Sequence, residues 1–136
     1  MTIKQKENEF FSKYPIDLKN IVRDGVVEEG SYLSSNPKIL FLLKEANSPG
    51  EGGWSLIEKI RSYDPVPMLD TLARWISGIR NLPKNVPWTA VKSISAYSRI
   101  CVLNEVVLFN LKKTPGGGTT NEKELAAHAL EFSIQL

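Results

Sequence analysis

Two short polar clusters in this 136-residue chain bring together residue types that can do chemistry. The first is Lys44-Glu45-Ala46-Asn47, which follows an apolar run directly. A carboxylate partly screened from water has a raised pKa and can orient or deprotonate a water molecule. Asn47 offers both a donor and an acceptor, suited to an amide or the edge of a base. The bland alternative is that Lys44 and Glu45 form a surface ion pair of little worth, with Asn47 serving a turn.

The second cluster runs from Asn110 through Lys112 and Lys113 to Gly116, Gly117 and Gly118. Glycines expose backbone N–H groups and let the chain approach an anion closely. Entering a helix, such a loop can hold a phosphate, with Lys112 and Lys113 adding charge. Neither the Walker A ending nor the dinucleotide Gly-x-Gly-x-x-Gly spacing is present. The signal is therefore for a phosphate or nucleic-acid backbone as a class, and a solvated loop fits the composition equally. Of the three tryptophans, Trp54 follows the first glycine loop and is the one placed to stack on a base, while Trp75 reads as core.

Both clusters need a scaffold. The short apolar run 39–43 reads as a strand covered on both faces, as in a parallel sheet, and 106–111 as a second. In open α/β sheets, ligands bind beyond the carboxyl ends of the strands. The expectation is that Glu45 and Asn110 share a cleft at one rim. A helix is expected over 4–25, interrupted at Pro15, then a short connector with an edge strand. Further helices are expected over 54–63, 68–79 and 89–98, and another is opened by Thr120 or Asn121. The fold class is α/β, with three α/β/α layers around a short, mostly parallel central sheet, in a single domain over 1–136.

Composition bounds the rest. At 42% hydrophobic and 24% charged residues the chain suits a globular core. No apolar run approaches the roughly 18–20 residues of a membrane span, and the polar start is no signal peptide. One cysteine forms no internal disulfide, fits the cytoplasm, and reads as a small buried core residue at Cys101. With a single histidine, His128, neither a zinc site nor a Cys-His dyad is supported. A net charge of +2 permits nucleic-acid binding without arguing for it.

The stretches ILFLL-KEANSPG and VLFNLKKTPGGG together resemble the uracil-DNA glycosylase superfamily. One branch of that superfamily carries Gly-Glu-Ala-Pro-Gly after a buried strand, and here Glu45-Ala46 falls in register, with Lys44 and Asn47 replacing the flanking Gly and Pro. The second stretch is similar to the family's strand ending Asn-apolar-apolar-Lys-Cys-Arg-Pro, matched by Asn110, Lys113 and Pro115. The resemblance implies hydrolysis of the N-glycosidic bond of a uracil-type base flipped from DNA. It would place Asn110 on the base edge. Glu45, with Asn47 beside it and the backbone at Ala46, would face the sugar and the attacking water. Lys112, Lys113, Gly116 and Gly117 would lie on phosphates. It implies no metal in the chemistry and no cofactor, since one cysteine cannot hold an iron–sulfur cluster. The family's later His-Pro-Ser-type motif has no counterpart here. The match is to the N-terminal portion of the fold, which implies a truncated reading frame, a minimal variant or a half completed by a partner chain. The alternative function is a non-catalytic α/β module that holds a nucleotide or nucleic-acid phosphate at the glycine loops.

Overall fold

A computed structural model of the chain describes residues 1–48 and 50–133. Pro49 of the first glycine loop and the terminal Leu136 lie outside them. The fold is α/β, with helices making up most of the regular structure around five short strands among the described residues. The strands fall into two small sheets. In one, β1 (Val22–Arg23) runs parallel to β4 (Trp54–Ser55), Val22 opposite Trp54. In the other the order is β2 (Gly25–Val26), β5 (Val106–Asn110), β3 (Ile39–Leu43). No helix among the described residues is long and apolar enough to cross a membrane.

The first helix corrects the expected helix over 4–25. α1 (Ile3–Ser12) starts with a capping box, in which the Thr2 hydroxyl accepts from the Gln5 N–H and the Gln5 side chain accepts from the Thr2 N–H. It stops before Pro15, whose ring cannot continue a helix. Ile21 and Val22, read as the far end of its apolar face, are instead extended and fully buried in and beside β1. β-Branched residues favour that conformation.

β3 forms where expected, but it is not covered on both faces. It stands at the sheet's edge, and Leu40 and Leu42 are 55% and 59% exposed. β5 lies in the middle, and its inner face, Val106, Leu108 and Asn110, is buried.

The chain divides into two compact units, a division that the single-domain reading did not contain. Unit 1 comprises residues 1–25, 41–56 and 108–136; unit 2 comprises 26–40 and 57–107. The core of unit 1 includes Phe11, Ile21, Val22, Leu56 and Leu108. In unit 2, α4 (Pro67–Arg80) packs on α6 (Ala96–Leu103), burying Leu69, Leu72, Ala73 and Ile76 at three-four spacing. That stripe is rotated from the expected one, so Trp75 is 58% exposed and is not core. Cys101 is likewise exposed, a free thiol on the outer side of α6. Arg99 of the same helix points inward, where its guanidinium donates to Asp70 and to the carbonyls of Ser62 and Asp64.

Candidate functional site

The two chemical clusters meet in unit 1. Beyond β3 and β5 the two chains continue side by side in the same direction. Leu111 N–H donates to the Leu43 carbonyl and Lys112 N–H to the Lys44 carbonyl, each at 2.9 Å. Gly116 N–H then donates to Ala46 and Ser48 N–H to Gly116, with a parallel bridge between Asn47 and Gly116. This backbone ladder holds the KEAN stretch against the glycine loop. A Cβ at Gly116 would land on the Glu45 carboxylate, so a side chain there displaces that carboxylate.

Glu45 does not pair with Lys44. Its almost fully buried carboxylate lies 2.8 Å from the Lys112 ammonium, which also reaches Glu124 at 2.9 Å. Glu124 comes from α7 (Glu122–Ser133), whose start is capped by the Asn121 side chain accepting from Lys123 and Glu124 N–H. Burial pulls the Lys112 ammonium down, but its bonds to the two carboxylates outweigh this and hold it above the usual lysine value. The same bond keeps exposed Glu124 below the ordinary carboxylate range. One turn further along α7, His128 has a buried Nδ1 with no hydrogen-bond partner among the described residues.

A second buried cluster was not foreseen. Asp24, between β1 and β2, accepts from the Asn110 backbone N–H at 2.7 Å, from Asn110 Nδ2 at 3.0 Å, and from Lys113 Nζ at both oxygens. Lys113 is 0% exposed, its ammonium 3.6 Å from the centre of the Phe109 ring. Burial pushes the Asp24 carboxyl up, partly offset by Lys113 and Asn110, and pushes the Lys113 ammonium down against the pull of Asp24 and Glu7. Nearby, burial raises the Tyr14 hydroxyl to about 12, with Glu131 and Asp24 adding to the effect. The signal for Asp24 lay in its setting, a lone carboxylate inside Ile-Val-Arg-Asp-Gly-Val-Val. A charge at such a place needs a buried partner.

The expected site residues therefore separate. Glu45, Ala46, Asn47 and Gly116 share the ladder, with Asn47 exposed, and Gly117 stands open to solvent. Asn110 is buried and its Nδ2 is committed to Asp24, away from its expected place on the edge of a base. Lys112 and Lys113 are both buried against carboxylates, which corrects their expected place on phosphates. Trp54 is half-buried in β4, with its indole N–H given to the Glu51 carbonyl. Among the described residues no group of three or more His, Cys, Asp or Glu side chains could hold a metal ion. Compared with family models, curated proteins and solved structures, the chain matches none.

Proposed function

We propose that unit 1 carries a base-excision site of the uracil-DNA glycosylase type, hydrolysing the N-glycosidic bond of a uracil-type base in DNA. One observation carries the reading. The two stretches that resemble the family's motifs lie far apart in sequence, yet they are hydrogen-bonded along one ladder, with the Glu45 carboxylate packed on Gly116. As the base leaves, positive charge develops on the sugar, and a fixed carboxylate stabilises it. Glu45 is assigned that role and the orienting of the attacking water; its side chain is 4% exposed and held by Lys112, so the role requires DNA binding to uncover it. Asn47, exposed beside it, supplies the amide that a flipped base or water would meet. Asn110 acts in this reading through Asp24, bracing the end of β5. The partner is DNA, and the setting is the cytoplasm, where a free exposed thiol such as Cys101 persists. The competing reading, a phosphate held by Lys112 and Lys113, loses its charge because both ammonium groups are already neutralised.

The test is incubation with uracil-containing single- and double-stranded oligonucleotides, followed by alkaline cleavage at abasic sites. Release is expected, and Glu45→Gln lowers it at least about 100-fold, on the order of one electrostatic contact. No release from either substrate, or release untouched by Glu45→Gln, removes the proposal.

A further inference from the structure

The modest net charge of this chain conceals an asymmetry. Between Asp70 and Glu105 lie Arg74, Arg80, Lys84, Lys92 and Arg99 and not one acidic residue. Five of the 17 basic residues and none of the 15 acidic ones fall in this stretch, which leaves twelve basic and 15 acidic residues elsewhere. The stretch is thus +5 and the remainder −3. All of it belongs to unit 2.

Its surface carries aromatic rings as well as charge. Arg74 leaves α4 to donate to the carbonyls of Val91 and Lys92, and its guanidinium lies 5.7 Å from the centre of the Trp88 ring. These contacts bring α4 against α5 (Trp88–Val91) and put Trp88, Arg74 and Lys92 in one corner. Trp75 follows Arg74 on α4; Trp88 is 62% exposed. Lys84, in the loop joining the two helices, and Lys92 are exposed and have no carboxylate partner among the described residues. Arg80 and Arg99 are accounted for by Glu105 and Asp70. The cations of this stretch without a carboxylate among the described residues are therefore Arg74, Lys84 and Lys92, and Arg74 lies against Trp88.

We infer that this corner of unit 2, formed by Arg74, Trp88 and Lys92 with Lys84 on the loop four residues before Trp88, is a binding surface for single-stranded nucleic acid. Uncompensated cations match a phosphate backbone, and indole faces match unpaired bases, which stack on aromatic side chains regardless of sequence. A duplex keeps its base faces stacked and offers nothing to the tryptophans. An acidic protein or an anionic membrane would use the lysines alone or insert the rings differently. The surface goes beyond the proposed excision site: it involves neither Glu45 nor uracil.

The experiment titrates the full chain with a uracil-free dT oligonucleotide of about 12 nucleotides, following tryptophan fluorescence quenching over a salt series. Binding is expected to weaken steeply with salt. Lys84→Glu with Lys92→Glu should weaken it at least about tenfold and flatten the logarithmic salt slope by roughly 1.4, the value for two phosphates on a single strand. Trp88→Ala should cost about fivefold or more without changing that slope. Lys6→Glu, at an exposed position of α1 in unit 1 outside the excision site, should bind as the parent does, which separates this surface from a general effect of charge. Both lysines are solvent-exposed and unpaired, so the charge variant folds, and its circular dichroism checks this. Unchanged affinity in the lysine variant, tighter binding to the matching duplex, or binding only to vesicles of anionic lipid overturns the inference.

Discussion

In unit 1 the ammonium groups of Lys112 and Lys113 are buried against Glu45, Glu124 and Asp24, whereas in unit 2 Lys84 and Lys92 stand in solvent without a carboxylate. The residues that looked most like a phosphate site are neutralised, and a stretch without any glycine-rich loop carries the free charge. The difference shows that a lysine's availability depends on what its strand buries opposite it. In β5 the inner face ends in Asn110, and the chain then delivers Lys113 to the same carboxylate. In unit 2 the inward cation Arg99 donates through its terminal nitrogens to Asp70 and two carbonyls.

Removing a partner from unit 1 should therefore have the largest effect. Asp24→Ala leaves Lys113 buried without its counter-ion and is expected to cost about 3–5 kcal/mol in urea unfolding followed by circular dichroism. The double change Asp24→Leu with Lys113→Met should recover most of that loss. A cost for the single variant below about 1 kcal/mol would mean that Lys113 reaches water, and the contrast between the units would disappear.

Next comes Lys112→Met, which leaves the Glu45 carboxylate buried and Glu124 unpaired, for a loss of about 3 kcal/mol. Gly116→Ala displaces the same carboxylate sterically and should cost about 1–3 kcal/mol. Because both changes act on Glu45, their combined effect should be smaller than the sum. Additive costs would separate the ion pair from the glycine contact.

A smaller effect is expected in alkali. Tyr14, at about 12, and Lys112 both titrate above their ordinary values in the folded protein. A raised folded pKa gives stability that is whole below the unfolded value and lost as pH climbs through the folded one. The loss of these two contributions should make urea stability decline above about pH 10, against an opposite contribution from Lys113, whose folded value is lowered. A tyrosinate absorbance titration should show a late step that Tyr14→Phe removes. The smallest effect belongs to unit 2: Lys84→Gln with Lys92→Gln should leave the unfolding midpoint within about 0.5 kcal/mol of the parent.

The amino-acid pattern revealed the two strands that frame the site because each is a compact apolar run between polar punctuation, and nothing else suits that length. The meeting of KEAN with the glycine loop was also legible, since each cluster directly follows one of those strands. Three features were not. The break at Pro15 was legible, but the helix did not resume beyond it: Ile21 and Val22 kept a helical spacing by coincidence, Val22 in β1 and Ile21 extended beside it. The apolar stripe of α4 could be drawn through Trp75 or through Ala73, and volume favoured the wrong choice. Asp24, as one carboxylate in an apolar run, carries no periodic signal; its meaning depends on partners 86 and 89 residues away.

Those separations govern the order in which the protein can assemble during synthesis. Unit 2 has all of its chain once Val107 has left the ribosome, while unit 1 draws on three segments, the last starting at Leu108. Asp24 emerges 89 residues before Lys113 and stays hydrated until that lysine arrives. The nascent chain can therefore condense unit 2 first, and the buried Asp24–Lys113 pair of unit 1 closes only after residue 113 has emerged.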